Sequence, residues 1–157
     1  MKLCLECQKS ISNTLSKFSL EKYDIPLCME HQYWIDDMEN KTTFEIIRLY
    51  FALKERGIPA QMEQLSGNKN MDIVIPDARV NIEVKDKNHN YRKNQALSNL
   101  NRTYFSFIKG FFTIRIPNSL VYNKYTLEDT ADFIVGVLNE SLNKQYLANS
   151  NDIDLRS

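Results

Sequence analysis

Every cysteine in the chain falls within its first twenty-eight residues, at a spacing that limits what these residues can do: Cys4-Leu-Glu-Cys7, then Cys28-Met-Glu-His31. Two C-x-x-C/H knuckles about twenty residues apart let two pairs of ligands reach one tetrahedral ion, which is the pattern of a structural zinc site. The competing reading is a set of buried or redox-active thiols with His31 incidental. It leaves unexplained why all three cysteines sit at ligand spacing in one short segment. Between the knuckles, "QKSISNTLSKFSLEKYDIP" holds too few apolar residues to build a core alone, so zinc would supply much of the folding free energy of residues 1–38. An ion closed by four protein ligands has no open position for a substrate. Its expected role is structural, with recognition of a nucleic acid or protein partner beside it.

The rest of the 157 residues, with 43% of the chain hydrophobic and 25% charged, suits one further globular domain. The expected division is a zinc-binding unit at 1–38, an α/β domain at 39–147 and a polar tail at 148–157. No apolar run reaches the roughly 18 residues of a membrane span, and "MKLCLECQKS" lacks the apolar centre of a secretory signal. A cytoplasmic protein with no membrane partner is expected. Charge balances overall but not locally: from Arg79 to Lys124 nine basic residues face two acidic ones, a field that suits phosphate.

Periodicity predicts a helix over Thr42–Arg56, with Phe44, Ile47 and Phe51 on one face and Ile46, Tyr50 and Leu53 on the next, ended by Gly57 and Pro59. "PAQMEQL" alternates weakly as a first strand, followed by a turn at "SGNKN". "MDIVIPD" and "RVNIEVKD" read as a hairpin around Pro76-Asp77-Ala78. A helix follows over Arg92–Lys109, with Leu97, Leu100, Tyr104, Phe107 and Ile108 expected to face the core and Gln95, Asn99, Arg102, Ser106 and Lys109 on a separate polar stripe. "FFTIRIP" is a last strand, and a last helix is capped by Thr126-x-x-Asp129, with the chain fraying from Ala148. The order α-β-β-β-α-β, then α, predicts an α/β fold with a mixed sheet flanked by helices.

The hairpin carries the candidate chemistry. Strand side chains alternate faces, so Glu83 and Lys85 point the same way, between the apolar Ile82 and Val84. In a hairpin turning at Asp77-Ala78, paired positions have numbers adding to about 155, which sets Asp72 opposite Glu83 and leaves Asp77 in the turn. Two facing carboxylates beside a lysine suit a hard divalent cation, Mg2+ or Mn2+, that keeps its waters and accepts a phosphate oxygen. Lys85 would stabilise developing charge or help depress the pKa of a bound water. A cross-strand salt-bridge cluster has the same composition.

The element order, with Asp72, Glu83 and Lys85 on the central hairpin, resembles the PD-(D/E)xK, or restriction-endonuclease-like, nuclease superfamily. Within it, "MDIVIPDARVNIEVKDKNH" is similar to small proteins related to very-short-patch-repair endonucleases, whose aspartate, glutamate and histidine correspond to Asp72, Glu83 and His89. That family's Asp-x-x-Arg and Gly-aromatic-x-x-x-Arg motifs stand here as Asn99-Leu-Asn-Arg102 and Gly110-Phe-Phe-Thr-Ile-Arg115. Two departures are Lys85, where that family has aspartate, and Asn99 in place of the helix aspartate. The likeness spans about residues 42–138.

The resemblance implies a metal-dependent DNA endonuclease, with Asp72 and Glu83 as metal ligands and Glu45 where such nucleases place an extra acidic residue. Thr42-x-x-Glu45 is equally a capping box. His89 would contact phosphate or shuttle a proton, and a loop histidine without a role reads the same in sequence. Lys87, Arg92, Lys93 and Arg102 are the candidate DNA contacts, Arg102 alternatively pairing with a core carboxylate. DNA is the expected partner, and a homodimer is compatible with the sequence. The rival expectation is a non-catalytic nucleic-acid-binding or regulatory protein on the same fold.

Overall fold

The computed structural model describes residues 1–64, 71–85 and 93–154. The expected turn at "SGNKN" and the basic stretch with Lys87, His89 and Arg92 lie outside the described residues. For Asp72, Lys85 and Arg102 the backbone is described and the side chain is not.

The N-terminal segment is organised by turns that leave sulfur atoms in place. Strands β1 (Lys2–Leu3) and β2 (Ser10–Ile11) pair antiparallel. The loop between them closes through Cys4 N–H on Lys9 C=O at 2.8 Å and Gln8 N–H on Cys4 C=O at 2.9 Å. Helix α1 (Asn13–Tyr23) is capped by the Ser12 hydroxyl, which accepts from Leu15 N–H, and ends at Asp24 in a left-handed conformation, φ 61°. Helix α2 (Met29–Met38) starts directly after Cys28. The connection before it is braced by the fully buried Ser19, whose hydroxyl donates to Ile25 C=O at 2.7 Å and accepts from Leu27 N–H at 2.9 Å. Gln32 adds a third bond there, donating to Leu27 C=O at 3.0 Å.

Helix α3 (Phe44–Glu55) is the centre of the molecule, with Ile46, Ile47 and Leu49 through Leu53 all buried. Two expectations fail at its start. Phe44 is exposed, and the cap residue is Thr43 without a side-chain cap bond, so the register of a Thr42–Glu45 box is not adopted. Gly57, at φ 77°, ends the helix as expected.

Strands β3 (Gln61–Gln64), β4 (Met71–Ile75), β5 (Val80–Lys85) and β6 (Phe112–Pro117) form one sheet in that order. The first three are antiparallel, and β5 runs parallel to β6 with helix α4 (Lys93–Ile108) as the crossover. The fold is thus α/β with a mixed sheet. Helix α5 (Lys124–Asp154) begins earlier than Thr126, because the Asn123 side chain accepts from the Thr126 N–H and hydroxyl, both at 2.9 Å. It continues through Ala148, where the sequence suggests fraying.

One face of the sheet presents Ile73, Ile75, Val80, Ile82 and Ile116 to a core shared with α3 and with Leu127, Ala131, Ile134 and Leu138 of α5. Arg56 fastens the end of α3 to α5, donating to Asp132 at 2.8 Å, to Glu128, and to Ala52 C=O at 2.9 Å. The same core continues without a break into Cys4, Ile11, Leu27, Ile35 and Met38. Trp34 of α2 bridges the two parts, with ring centroids 5.9 Å from Tyr50 and 6.2 Å from Phe51.

The opposite face belongs to α4, and here the expected orientation is reversed. Leu97, Leu100, Tyr104, Phe107 and Ile108, expected in the core, are 49–71% exposed. Among the described side chains of α4 the half-buried ones are Thr103 and Ser106, the latter from the polar stripe. The sheet face they approach carries Glu83 and Arg115, so polar groups are what it can accommodate.

Between the cysteines of the first knuckle, Glu6 is clamped to α3. Tyr50 donates its hydroxyl to both carboxylate oxygens, at 2.8 and 2.9 Å, and Lys54 lies 3.7 Å away. Burial first, then the Glu6 charge and hydrogen bond, push the Tyr50 phenol far above its ordinary 10.0. A proton held more tightly in the folded state gives stability that is full below the unfolded value and drains as pH rises beyond it. Tyr50→Phe should cost about 1.5–3 kcal/mol in denaturant titrations at neutral pH, the range for a hydrogen bond to a charged group. It should also remove that contribution to the alkaline loss of stability.

Candidate functional site

The four knuckle residues converge. Sγ of Cys4, Cys7 and Cys28 and a ring nitrogen of His31 lie within 4.8 Å of one another. Cys7 and Cys28 sulfurs are 3.9 Å apart, and His31 Nδ1 is 3.6 Å from Cys4 Sγ and 3.1 Å from Cys28 Sγ. A tetrahedral ion with bonds of about 2.3 Å to sulfur and about 2.0 Å to nitrogen requires edges near 3.8 Å between sulfurs and about 3.5 Å from sulfur to nitrogen. The 3.9 and 3.6 Å separations match those edges, the 3.1 Å one is shorter and the set spans up to 4.8 Å, so the donor set is compatible with zinc.

Nδ1 is the inward atom because His31 stands in the first turn of α2, three residues after Cys28, where the nearer ring nitrogen reaches back over the cap. The imidazole packs edge-on to Trp34, with centroids 6.1 Å apart. Burial pushes the Cys4 thiol up, but backbone N–H groups of Cys28, Cys7 and Glu6 outweigh it and lower the thiol from 9.0 to about 7. Those amides favour the thiolate that a metal needs. Burial raises the Cys28 thiol, followed by its proximity to Cys4.

The second candidate lies across the sheet. The β4–β5 register pairs Ile75 with Val80, Val74 with Asn81 and Ile73 with Ile82. The next step along both strands is Asp72 and Glu83, in the register read from the turn. On the other side Asp72 pairs with Glu63 of β3, and Glu83 pairs with Arg115 of β6. One row of positions therefore crosses all four strands: Glu63, Asp72, Glu83, Arg115. Asp77 sits in the exposed 3-10 turn Pro76–Ala78 that joins the strands, away from this row.

Arg115 is engaged on both sides. Its Nε lies 3.4 Å from the Glu83 carboxylate, whose side chain is 19% exposed, and its Nη2 donates to the Thr103 hydroxyl of α4. A part-buried carboxylate needs such a partner. Glu45 is half-buried in the first turn of α3 and makes no described contact with the row. Lys93 is exposed at the start of α4.

Sequence reasoning missed three participants: Glu63, whose strand showed only weak alternation, and Glu6 and Tyr50, whose pairing joins residues 44 apart in sequence. Among the described residues no helix is long and apolar enough to cross a membrane. Compared with known protein families, curated proteins and solved structures, the chain finds no match in any of the three.

Because one core runs from the cysteines to the sheet, metal loss should not unfold residues 1–38 alone. A chelator, or Cys7→Ala, should lower a single melting transition of the whole chain by about 6 °C or more, corresponding to roughly 3 kcal/mol at this size. Two separated transitions would contradict that coupling.

Proposed function

We propose that the protein is a metal-dependent DNA endonuclease of the PD-(D/E)xK, restriction-endonuclease-like kind, stiffened by a structural zinc ion on Cys4, Cys7, Cys28 and His31. The observation that carries this reading is the β4–β5 register, which makes Asp72 and Glu83 successors of the Ile73–Ile82 pair within an α-β-β-β-α-β order. Asp72 and Glu83 would hold Mg2+ or Mn2+, with Glu63 on the neighbouring strand as a further carboxylate. Bound there, the cation supplies Lewis acidity and a water of lowered pKa. Lys85, two positions beyond Glu83 on the same strand, stabilises charge developing on the phosphate. The basic surplus between Arg79 and Lys124, with Lys87, Arg92, Lys93 and Arg102 nearest the motif, supplies contacts to the DNA backbone.

The Arg115–Glu83 ion pair favours a second reading, a nucleic-acid-binding protein of the same architecture in which Glu83 is neutralised by arginine rather than by a cation. Calorimetric titration separates them: the nuclease binds Mg2+ and loses the ion with Asp72→Ala, whereas the binding module takes up none.

Purified protein supplied with Mg2+ or Mn2+ should nick or cut DNA. Asp72→Ala should reduce the rate to background, on the order of 10³-fold or more as for removal of a charge-stabilising group. Asp77→Ala, in the exposed turn, should leave it largely unchanged. Equal activity of wild type and Asp72→Ala would overturn the assignment.

A further inference from the structure

The outer side of α4 is built as an interface. A helix on a sheet ordinarily turns its apolar stripe inward. Here Leu97, Leu100, Tyr104, Phe107 and Ile108, which share one side at helical spacing, are each 49–71% exposed, while Thr103 and Ser106 lie toward the sheet. The apolar surface continues from the helix onto β6, the outer strand of the sheet. A groove of about 350 Å³ between them is lined by Leu100, Tyr104, Phe107, Phe111 and Phe112.

The area is large for a solitary chain. With side chains of roughly 200 Å² each, the five helix residues leave on the order of 600 Å² in water. Monomers rarely expose a contiguous apolar patch above about 300–600 Å². One partner's share of a standard protein interface is about 800 Å².

We infer that this face is the contact between two copies of the chain, related by a two-fold axis that crosses α4 between Leu100 and Tyr104. Three observations choose a second copy over a different partner. The exposed apolar area approaches one side of a standard dimer, about 800 Å². The apolar stripe carries no charge, so two copies bring no like charges together at its centre; Lys93 and Lys109 stand at the helix ends, on the rim, where salt screens them. The stripe is also self-complementary in length. In an antiparallel crossing between Leu100 and Tyr104, Leu97 of one copy meets Ile108 of the other and Leu100 meets Tyr104, so the aromatic end of each helix covers the aliphatic end of its mate. The inference does not depend on the nuclease reading, since none of the apolar residues that form the contact is assigned to metal or phosphate.

Sedimentation velocity on the full-length, metal-loaded chain, up to about 100 μM so that even a micromolar dimer is populated, should show a species of twice 18.4 kDa. Leu100→Glu, at the centre, should weaken association about 30-fold or more, as loss of an interface hot spot does. Tyr104→Arg should act alike. Both residues are exposed within one copy, so their dilute-solution circular dichroism should match wild type. Phe133→Glu, at a 74% exposed position on α5 outside the patch, should leave the dimer intact. A chain that stays monomeric throughout, leaving the face to some other molecule, would overturn the inference. So would a dimer that survives both α4 substitutions or dissociates equally with Phe133→Glu.

Discussion

Glu6 stands between Cys4 and Cys7 of the Cys/His cluster, and its carboxylate is bound at both oxygens by Tyr50. That contact makes the N-terminal segment and the sheet domain one body. Tyr50 belongs to the helix whose other side chains pack on the sheet and on α5. The chain of constraints therefore runs from the knuckle to Glu6, from Glu6 to α3, and from α3 to the strands. Lys54 adds charge to the pair, and Trp34 fills the space beside it. A carboxylate only 19% exposed is costly to strand without its partners. Its position in the first knuckle means that whatever fixes the cysteines also fixes α3. Residues 1–38 thus share one continuous core with α3 and the sheet.

Local patterns in the sequence identified elements well and long-range partners poorly. The hairpin register was readable because two β-branched runs meet at Pro76-Asp77-Ala78, and a tight turn leaves little freedom in how the strands align. The Cys/His cluster was readable because ligand spacing is itself local. Glu6 and Tyr50 carry no such signal; nothing in "CLEC" or "RLYF" says that they touch. Phe44 failed for a related reason: periodicity placed it on a buried face, but it is the first residue of α3 and projects past the edge of the core.

Helix α4 shows where periodicity stops being informative. Its two stripes were correctly divided in sequence, yet which one faces the sheet depends on what the sheet offers. The face of β4 and β5 that carries Ile73, Ile75, Val80 and Ile82 is taken by α3 and α5. The opposite face offers Glu83 and Arg115, and an apolar helix side laid over an ion pair would strip water from charges without replacing its hydrogen bonds. Thr103 can replace one, by accepting from Arg115. Among the described side chains Thr103 and Ser106 therefore lie toward the sheet, and the apolar stripe is left outside.

These two consequences are a single design. Arg115 links Glu83 to α4, so the helix that would carry the proposed dimer contact also holds the arginine that neutralises the proposed metal ligand. A cation on Asp72 and Glu83 and the Arg115 guanidinium compete for the same carboxylate charge. Any force that presses α4 toward the sheet strengthens the arginine's claim, and any ion that displaces the arginine loosens one of the bonds that seat α4. Under the two proposals, association through the outer side of α4 and metal binding at its inner side are coupled through Arg115, and linkage requires the coupling to act equally in both directions. A dimer contact that seats α4 more firmly would weaken cation binding, and a bound cation would then weaken the dimer by the same factor.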